Sequence, residues 1–130
     1  MEIAVIKKGS NLANIAFAPG ARFGPSAMRH ESFGLETYSP YQDRDLTDYA
    51  IFDSGDLELC FGSSEAALAD IEARAAEILQ DGKLPVLLGG EHLVTLGAVR
   101  AAAKKYLGLH IIHFDAHADL RQDYLGARLN

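Results

Sequence analysis

The fold is decided by the stretch LPVLLGGEH at residues 84–92. Five mostly apolar residues lead directly into Gly89 and Gly90, a pattern typical of a buried parallel strand that ends in a sharp turn. His92 follows the two glycines. A polar side chain is therefore expected close to the carboxyl end of a core strand, where open parallel sheets bind their ligands.

Apolar residues recur at helical spacing on both sides of this strand. The upstream helix begins near residue 64 and stops at Gly82, and the downstream helix covers residues 93–106 before Gly108. We expect the apolar face of the first helix to consist of Leu68, Ile71, Ala75, Ile78 and Leu79, and that of the second to consist of Leu96, Val99 and Ala103.

Three further runs favour strands, at residues 3–6, 49–52 and 109–114. Strands that alternate with helices through short connections predict an α/β fold with a parallel sheet and right-handed crossovers. Between the runs, DSGD at 53–56 predicts a turn that closes the second run, and residues 34–48 predict a polar loop. Residues 18–25 form a loop in which Pro25 opens a helix.

Composition and charge exclude several classes of protein. The 130 residues suit one domain, and 18 acids against 12 lysines and arginines leave a net charge of −6, which disfavours nucleic acid and anionic membranes. Cys60 is the single cysteine, so no internal disulfide can form. No stretch reaches the ~20 apolar residues of a membrane span, and the N-terminus lacks the pattern of a signal peptide. We expect a cytoplasmic protein.

The carboxyl ends of two predicted strands carry the chemistry. Asp115, His117 and Asp119 follow the run at 109–114, and they share one face if the chain stays extended, because side chains alternate with period two. His92 approaches from the neighbouring strand end. Two imidazoles and two carboxylates suit Mn²⁺, Zn²⁺ or Fe²⁺, and a pair of such ions would activate water for hydrolysis.

Four other polar residues receive less specific interpretations. His110 and His113 lie inside a predicted strand, where a hydrogen-bonded core or supporting role is favoured over metal ligation. Asp53 and Asp56 are interpreted as turn-capping carboxylates rather than metal ligands.

Three motifs together resemble the ureohydrolases, the family that includes arginase and agmatinase. They are GARFGPSAMR at 20–29, GGEH at 89–92 and FDAHAD at 114–119, in the order found in that family. The first motif, DSGD at 53–56 and DYLG at 123–126 are most similar to the agmatinase branch. The resemblance implies a three-layer α/β/α fold with a parallel sheet, as in arginases and the related deacetylases.

The resemblance also implies an activity. Family members hydrolyse a guanidinium carbon with a hydroxide held between two Mn²⁺ ions, so agmatine would give putrescine and urea. By similarity, the metal ligands are His92, Asp115, His117 and Asp119. Guanidinobutyrate, formiminoglutamate and arginine are alternative substrates, and the family commonly forms trimers or hexamers.

Other parts of the family pattern are missing from residues 1–130. The proton-relay histidine, a late Asp-x-Asp pair of metal ligands and a substrate-binding glutamate would all follow Asn130, so no catalytic residue is assigned. We expect residues 1–130 to be the N-terminal portion of a single ureohydrolase domain, weakly stable and inactive alone.

Three competing interpretations remain open. Metallophosphoesterases combine similar Asp-x-His and Gly-x-His elements around two metals, but in a different order along the chain, and arginase-fold deacetylases bind a single zinc. A non-catalytic remnant that binds a partner subunit is the alternative from another functional class.

Overall fold

The computed structural model of the protein describes residues 2–8, 21–60, 62–118, 120, 122–123, 126 and 128–129. Its strands are β1 (Glu2–Lys8), β2 (Tyr38–Ser39), β3 (Arg44–Asp45), β4 (Ala50–Leu57) and β5 (Leu84–Leu88). Its helices are α1 (Gly24–Ser32), α2 (Ser64–Gln80) and α3 (Val94–Lys105), with 3₁₀ turns at Ala21–Phe23 and Leu46–Asp48.

The main sheet contains three parallel strands in the order β4-β1-β5. The predicted strands at 3–6, 49–52 and 84–88 are therefore confirmed, as is the parallel arrangement. The predicted loop at 34–48 is mostly irregular, but it includes a small antiparallel pair formed by β2 and β3. The part of the predicted 18–25 loop that precedes residue 21 lies outside the described residues.

Both long helices are confirmed close to their predicted ends. Ser63 caps α2 by accepting a hydrogen bond from the Ala66 backbone N–H, and Gly82 follows the helix with a φ of 72°. Pro25 occupies the first turn of α1, where its missing N–H has no cost, and it is fully buried.

The core lies between α2, α3 and the sheet. All five positions predicted for the apolar face of α2 are buried, and Leu57 of β4 and Leu87 of β5 pack against the clusters that they form. The apolar face predicted for α3 was wrong: Ala103 is exposed and Leu96 and Val99 are only half-buried, while the buried residues are Val94, Gly97 and Ala101. The small residues face α2 because the two helices approach closely at Gly97, where a Cβ would lie 2.8 Å from the Ile71 side chain.

DSGD at 53–56 was predicted to form a turn that ends the strand. This prediction is wrong, because β4 continues through these residues to Leu57. Val5 and Lys7 of β1 pair with Asp53 and Asp56, so β4 holds one more residue than β1 between these pairs. Gly55 has a φ of 79° and donates its N–H to Asp53 Oδ1 at 2.9 Å. The positive φ and the hydrogen bond are typical of a turn, but here they form a bulge within β4.

The predicted strand at 109–114 is also wrong. These residues are irregular and exposed, with Ile112 at 80% and Phe114 at 93% of full exposure. A strand requires a neighbouring backbone to complete its hydrogen-bond ladder, and none of the described strands pairs with this segment. Apolar character alone therefore does not make it part of the sheet.

In the part of the chain that the structure describes, none of the helices combines the length and the apolar character that a membrane crossing needs.

Candidate metal centre

His92 is presented by the turn between β5 and α3. Gly89 is required at the start of this turn, because a Cβ there would lie 2.6 Å from Cγ2 of the buried Val94. The backbone then forms successive turn hydrogen bonds, including Val94 N–H to the Glu91 carbonyl and Thr95 N–H to the His92 carbonyl. Gly89 thus lets α3 lie close to the end of β5, and His92 is exposed at the surface.

Two histidines and one aspartate converge at this place. His92, His113 and Asp115 each offer one ligand atom, and these three atoms lie within 4.8 Å of one another. The rings of His92 and His113 have centroids 5.1 Å apart and are tilted by 50°. Nε2 of His113 lies 3.7 Å from Oδ2 of Asp115. Two imidazole nitrogens and one carboxylate oxygen form a donor set suited to a divalent transition-metal ion.

Asp115 is held as a carboxylate by its surroundings. The backbone N–H of His117 donates to Oδ1 of Asp115 at 3.0 Å, and this hydrogen bond is the main reason that the pKa of Asp115 is lowered. The nearby His113, His92 and His117 lower this pKa further, against a partial desolvation that raises it. The charged form accepts hydrogen bonds only, so the carboxylate is ready to meet a cation.

The four predicted ligand residues have different positions. His92 and Asp115 are brought together, whereas His117 is placed next to Asp115 through its backbone N–H and its side chain is not one of the three convergent ligands. Asp119 lies outside the described residues.

The prediction of core positions for His110 and His113 was wrong, because both side chains are exposed. His113 instead lies in the cluster with His92 and Asp115, a position that the motifs did not predict for it. The signal was present in the spacing: residues 113 and 115 are two apart, as are 115 and 117, so the alternation that groups Asp115 with His117 also groups it with His113.

Asp53 and Asp56 bind an arginine. Nε and one terminal nitrogen of Arg29 each donate to a different oxygen of Asp53, both at 2.6 Å, while another terminal nitrogen lies 3.5 Å from Asp56. The hydrogen bonds to Asp53 raise the pKa of Arg29. Asp53 also has the turn-capping role predicted for it, through the Gly55 N–H. This bidentate pair joins α1 to the bulge in β4.

A cavity of about 870 Å³ lies elsewhere, lined by Glu65, Arg100, Gln122, Asp123, Arg128 and Leu129. Its walls carry both signs of charge, and Arg100 is already paired with Glu65 at 2.9 Å. His92, His113 and Asp115 do not line this cavity, so the cavity and the cluster are separate features of the structure.

Comparison with known proteins gives a consistent result. The model of the arginase family matches residues 2–130. The agmatinase of Bacillus subtilis is 53% identical over 116 residues, and that of Bacillus anthracis is 49% identical; each match covers 89% of this chain and 40% of the relative. The chain therefore spans about two fifths of the length of these curated relatives.

Solved structures show the same fold. A Clostridium difficile protein superposes with a TM-score of 0.91 at 47% identity, over 98% of this chain and 46% of the other. The agmatine ureohydrolase of Thermoplasma volcanium superposes with a TM-score of 0.81 at 30% identity, over 99% of this chain and 42% of the other. The α/β fold class predicted from the sequence is confirmed by these superpositions.

Proposed function

The chain belongs to the arginase family, and from that premise we propose that the whole protein is an amidinohydrolase that converts agmatine to putrescine and urea. Relatives named agmatinase that are about half identical over most of the chain support this choice of substrate. Guanidinobutyrate, formiminoglutamate and arginine are the alternatives within the same chemistry. The family match disfavours the metallophosphoesterase interpretation.

The observation that carries the proposal is the convergence of His92, His113 and Asp115 at the surface beyond β5. Two of these donors, His92 and Asp115, belong to the ligand set that we propose, which His117 and Asp119 complete within this chain. Imidazole and carboxylate ligands fit a divalent transition metal, and we propose Mn²⁺ as the ion, two per complete site. When bound, the ions supply Lewis-acid activation of water.

The chain's own residues prepare the site electrostatically. The His117 N–H orients the Asp115 carboxylate and keeps it charged, and the turn after Gly89 presents His92 to the same place. A net charge of −6 also favours a cationic guanidinium substrate over an anionic one.

We propose that residues 1–130 are the N-terminal portion of a single ureohydrolase domain; a family match over residues 2–130 and a span of about two fifths of the curated relatives support this. On this hypothesis the proton-relay histidine, the substrate glutamate and the remaining metal ligands belong to the rest of the domain, and the whole protein assembles as a homo-oligomer. A subunit-binding protein without turnover is the competing function.

The test is to measure urea and putrescine released by the full-length gene product with Mn²⁺, supplying each of the four guanidino compounds in turn. We expect agmatine to be the best substrate. His92→Asn is expected to lower kcat/KM by about 100-fold or more and to reduce the bound metal, because it removes a nitrogen ligand.

His110→Asn is the matched control, since His110 is an exposed histidine outside the cluster, and it is expected to leave both quantities unchanged. Metal binding without urea release from any of the four compounds would favour the non-catalytic interpretation.

A further inference from the structure

We propose that Arg29 is a positioning residue for substrate binding, which acts through Asp53 and Asp56 by fixing α1 against the end of β4. The contact between these three side chains is called the arginine latch below. This inference rests on the proposed function and concerns residues outside the metal centre. Arg29 is assigned no contact with a substrate or with a metal ion.

The bulge in β4 brings the two aspartates of the latch together. Side chains alternate along a strand, so positions 53 and 56 would lie on opposite faces of a regular strand. Relative to β1, one extra residue lies between them, and this residue moves both aspartates onto one face. Gly55 adopts the positive φ that the bulge requires, at 79°. Both carboxylates can therefore approach a single guanidinium group.

The latch fixes the direction of α1 as well as its distance from β4. Two nitrogens of Arg29 each donate to a separate oxygen of Asp53 at 2.6 Å, and the third lies 3.5 Å from Asp56. Lysine cannot reproduce this planar, two-point contact. The side chains of Arg29, Asp53 and Asp56 are 35%, 46% and 51% exposed, and exposed ion pairs add little to stability. The latch is therefore better suited to orienting two elements than to holding the fold together.

The latch lies at the edge of the sheet where parallel strands bind their ligands. The backbone of Lys7 in β1 pairs with Asp56 on one side and with Leu88, the last residue of β5, on the other. Since neighbouring strands are about 4.8 Å apart, the backbones of Asp56 and Leu88 are roughly 10 Å apart. Helix α1 and the end of β4 therefore flank the place where a substrate would bind, and their positions are expected to affect its affinity.

The experiment is steady-state kinetics of the full-length gene product with agmatine and Mn²⁺. Arg29→Lys keeps the positive charge but loses the two-point contact, whereas Asp53→Asn keeps an acceptor for the Gly55 N–H but loses the negative charge. We expect each variant to raise KM about five-fold or more and to leave kcat within about two-fold of the wild type. The double variant is expected to resemble either single one, because both changes break the same contact.

Arg74→Lys is the matched control. Arg74 forms an exposed ion pair with Glu77 at 2.8 Å within α2, so the same substitution there is expected to leave KM unchanged. Hydrogen exchange followed by mass spectrometry provides a measurement that does not depend on catalysis. Arg29→Lys is expected to speed amide exchange in peptides that cover α1 and to leave exchange in α2 as it is in the wild type.

The outcomes separate this inference from the proposed function. If the wild type is active and both Arg29→Lys and Asp53→Asn keep its KM, the inference is overturned and the proposed function stands. A lower kcat and a lower melting temperature with KM unchanged would show a merely structural latch, and unchanged exchange in α1 would show that no latch forms. A wild type that hydrolyses none of the four guanidino compounds would contradict both proposals.

Discussion

At Asp45 a single carboxylate organises the start of the 3₁₀ turn Leu46–Asp48. Its Oδ1 accepts the Thr47 backbone N–H at 2.9 Å and the Thr47 hydroxyl at 2.7 Å, while Asp48 accepts the Asp45 N–H at 3.1 Å. The Thr47 backbone hydrogen bond is the largest cause of the lowered pKa of Asp45, followed by the hydroxyls of Thr47 and Thr37. These bonds stabilise the charged form.

Because the pKa of Asp45 is lower in the folded protein than in the unfolded chain, its contribution to stability is present above the ordinary aspartate pKa of about 3.9. That contribution is lost as the pH falls through the folded-state value. We expect an NMR titration to give a midpoint for Asp45 below the ordinary value, and Thr47→Val to move it upward by removing one donor. An ordinary midpoint in the wild type would contradict this account.

At the scale of the secondary-structure elements, Gly97 sets how closely α2 and α3 pack. A Cβ at residue 97 would lie 2.8 Å from Cβ and Cγ2 of Ile71 and 2.9 Å from the Leu68 carbonyl oxygen. Real Cβ atoms do not approach neighbours this closely, and neither obstacle is the end of a flexible side chain. The spacing between the helices therefore depends on the absence of one methyl group.

Gly97→Ala is expected to destabilise the protein by about 1–2 kcal/mol. Overpacking costs roughly 1–3 kcal/mol, and the better helix propensity of alanine, about 1 kcal/mol, offsets part of it. Urea denaturation measures the change. Gly34→Ala is the control, since that position has open space and no positive φ, and it is expected to cause no comparable loss. Equal stability of the two variants would refute close packing at Gly97.

At the scale of the whole molecule, an exposed apolar run follows α3 in the described part of the chain. Leu107 is 98%, Ile111 63%, Ile112 80% and Phe114 93% exposed. Single exposed apolar side chains are common, but several in one short segment are not. The segment also carries His113 and leads into Asp115, so the proposed metal centre and this exposed apolar run are neighbours in the chain.

We expect this run to bind the dye ANS, whose fluorescence rises on exposed apolar surface. The double variant Leu107→Ser and Ile112→Ser is expected to reduce the fluorescence substantially. Tyr41→Ser removes an equally exposed ring, at 98%, from the loop between β2 and β3 and is expected to have little effect. Unchanged fluorescence in the double variant would mean that the run is covered in solution.

The elements that depend on local spacing could be predicted from the amino-acid sequence. Helices α2 and α3 and strands β1 and β5 were predicted because apolar periodicity, apolar runs and glycine stops act within a few residues of one another. His92 and Asp115 were found for a related reason, since polar residues directly after apolar runs mark the ends of predicted strands.

The features that depend on a packing or pairing partner could not be predicted in this way, because the fold sets which segments meet. Gly97 faces α2 because of the helix crossing, DSGD at 53–56 became a bulge because β4 continues to pair with β1, and residues 109–114 pair with none of the described strands. His113 joined His92 and Asp115 because two distant segments meet beyond β5. Local spacing shows which way side chains can point, whereas the packing partner decides which of them are buried, paired or brought together.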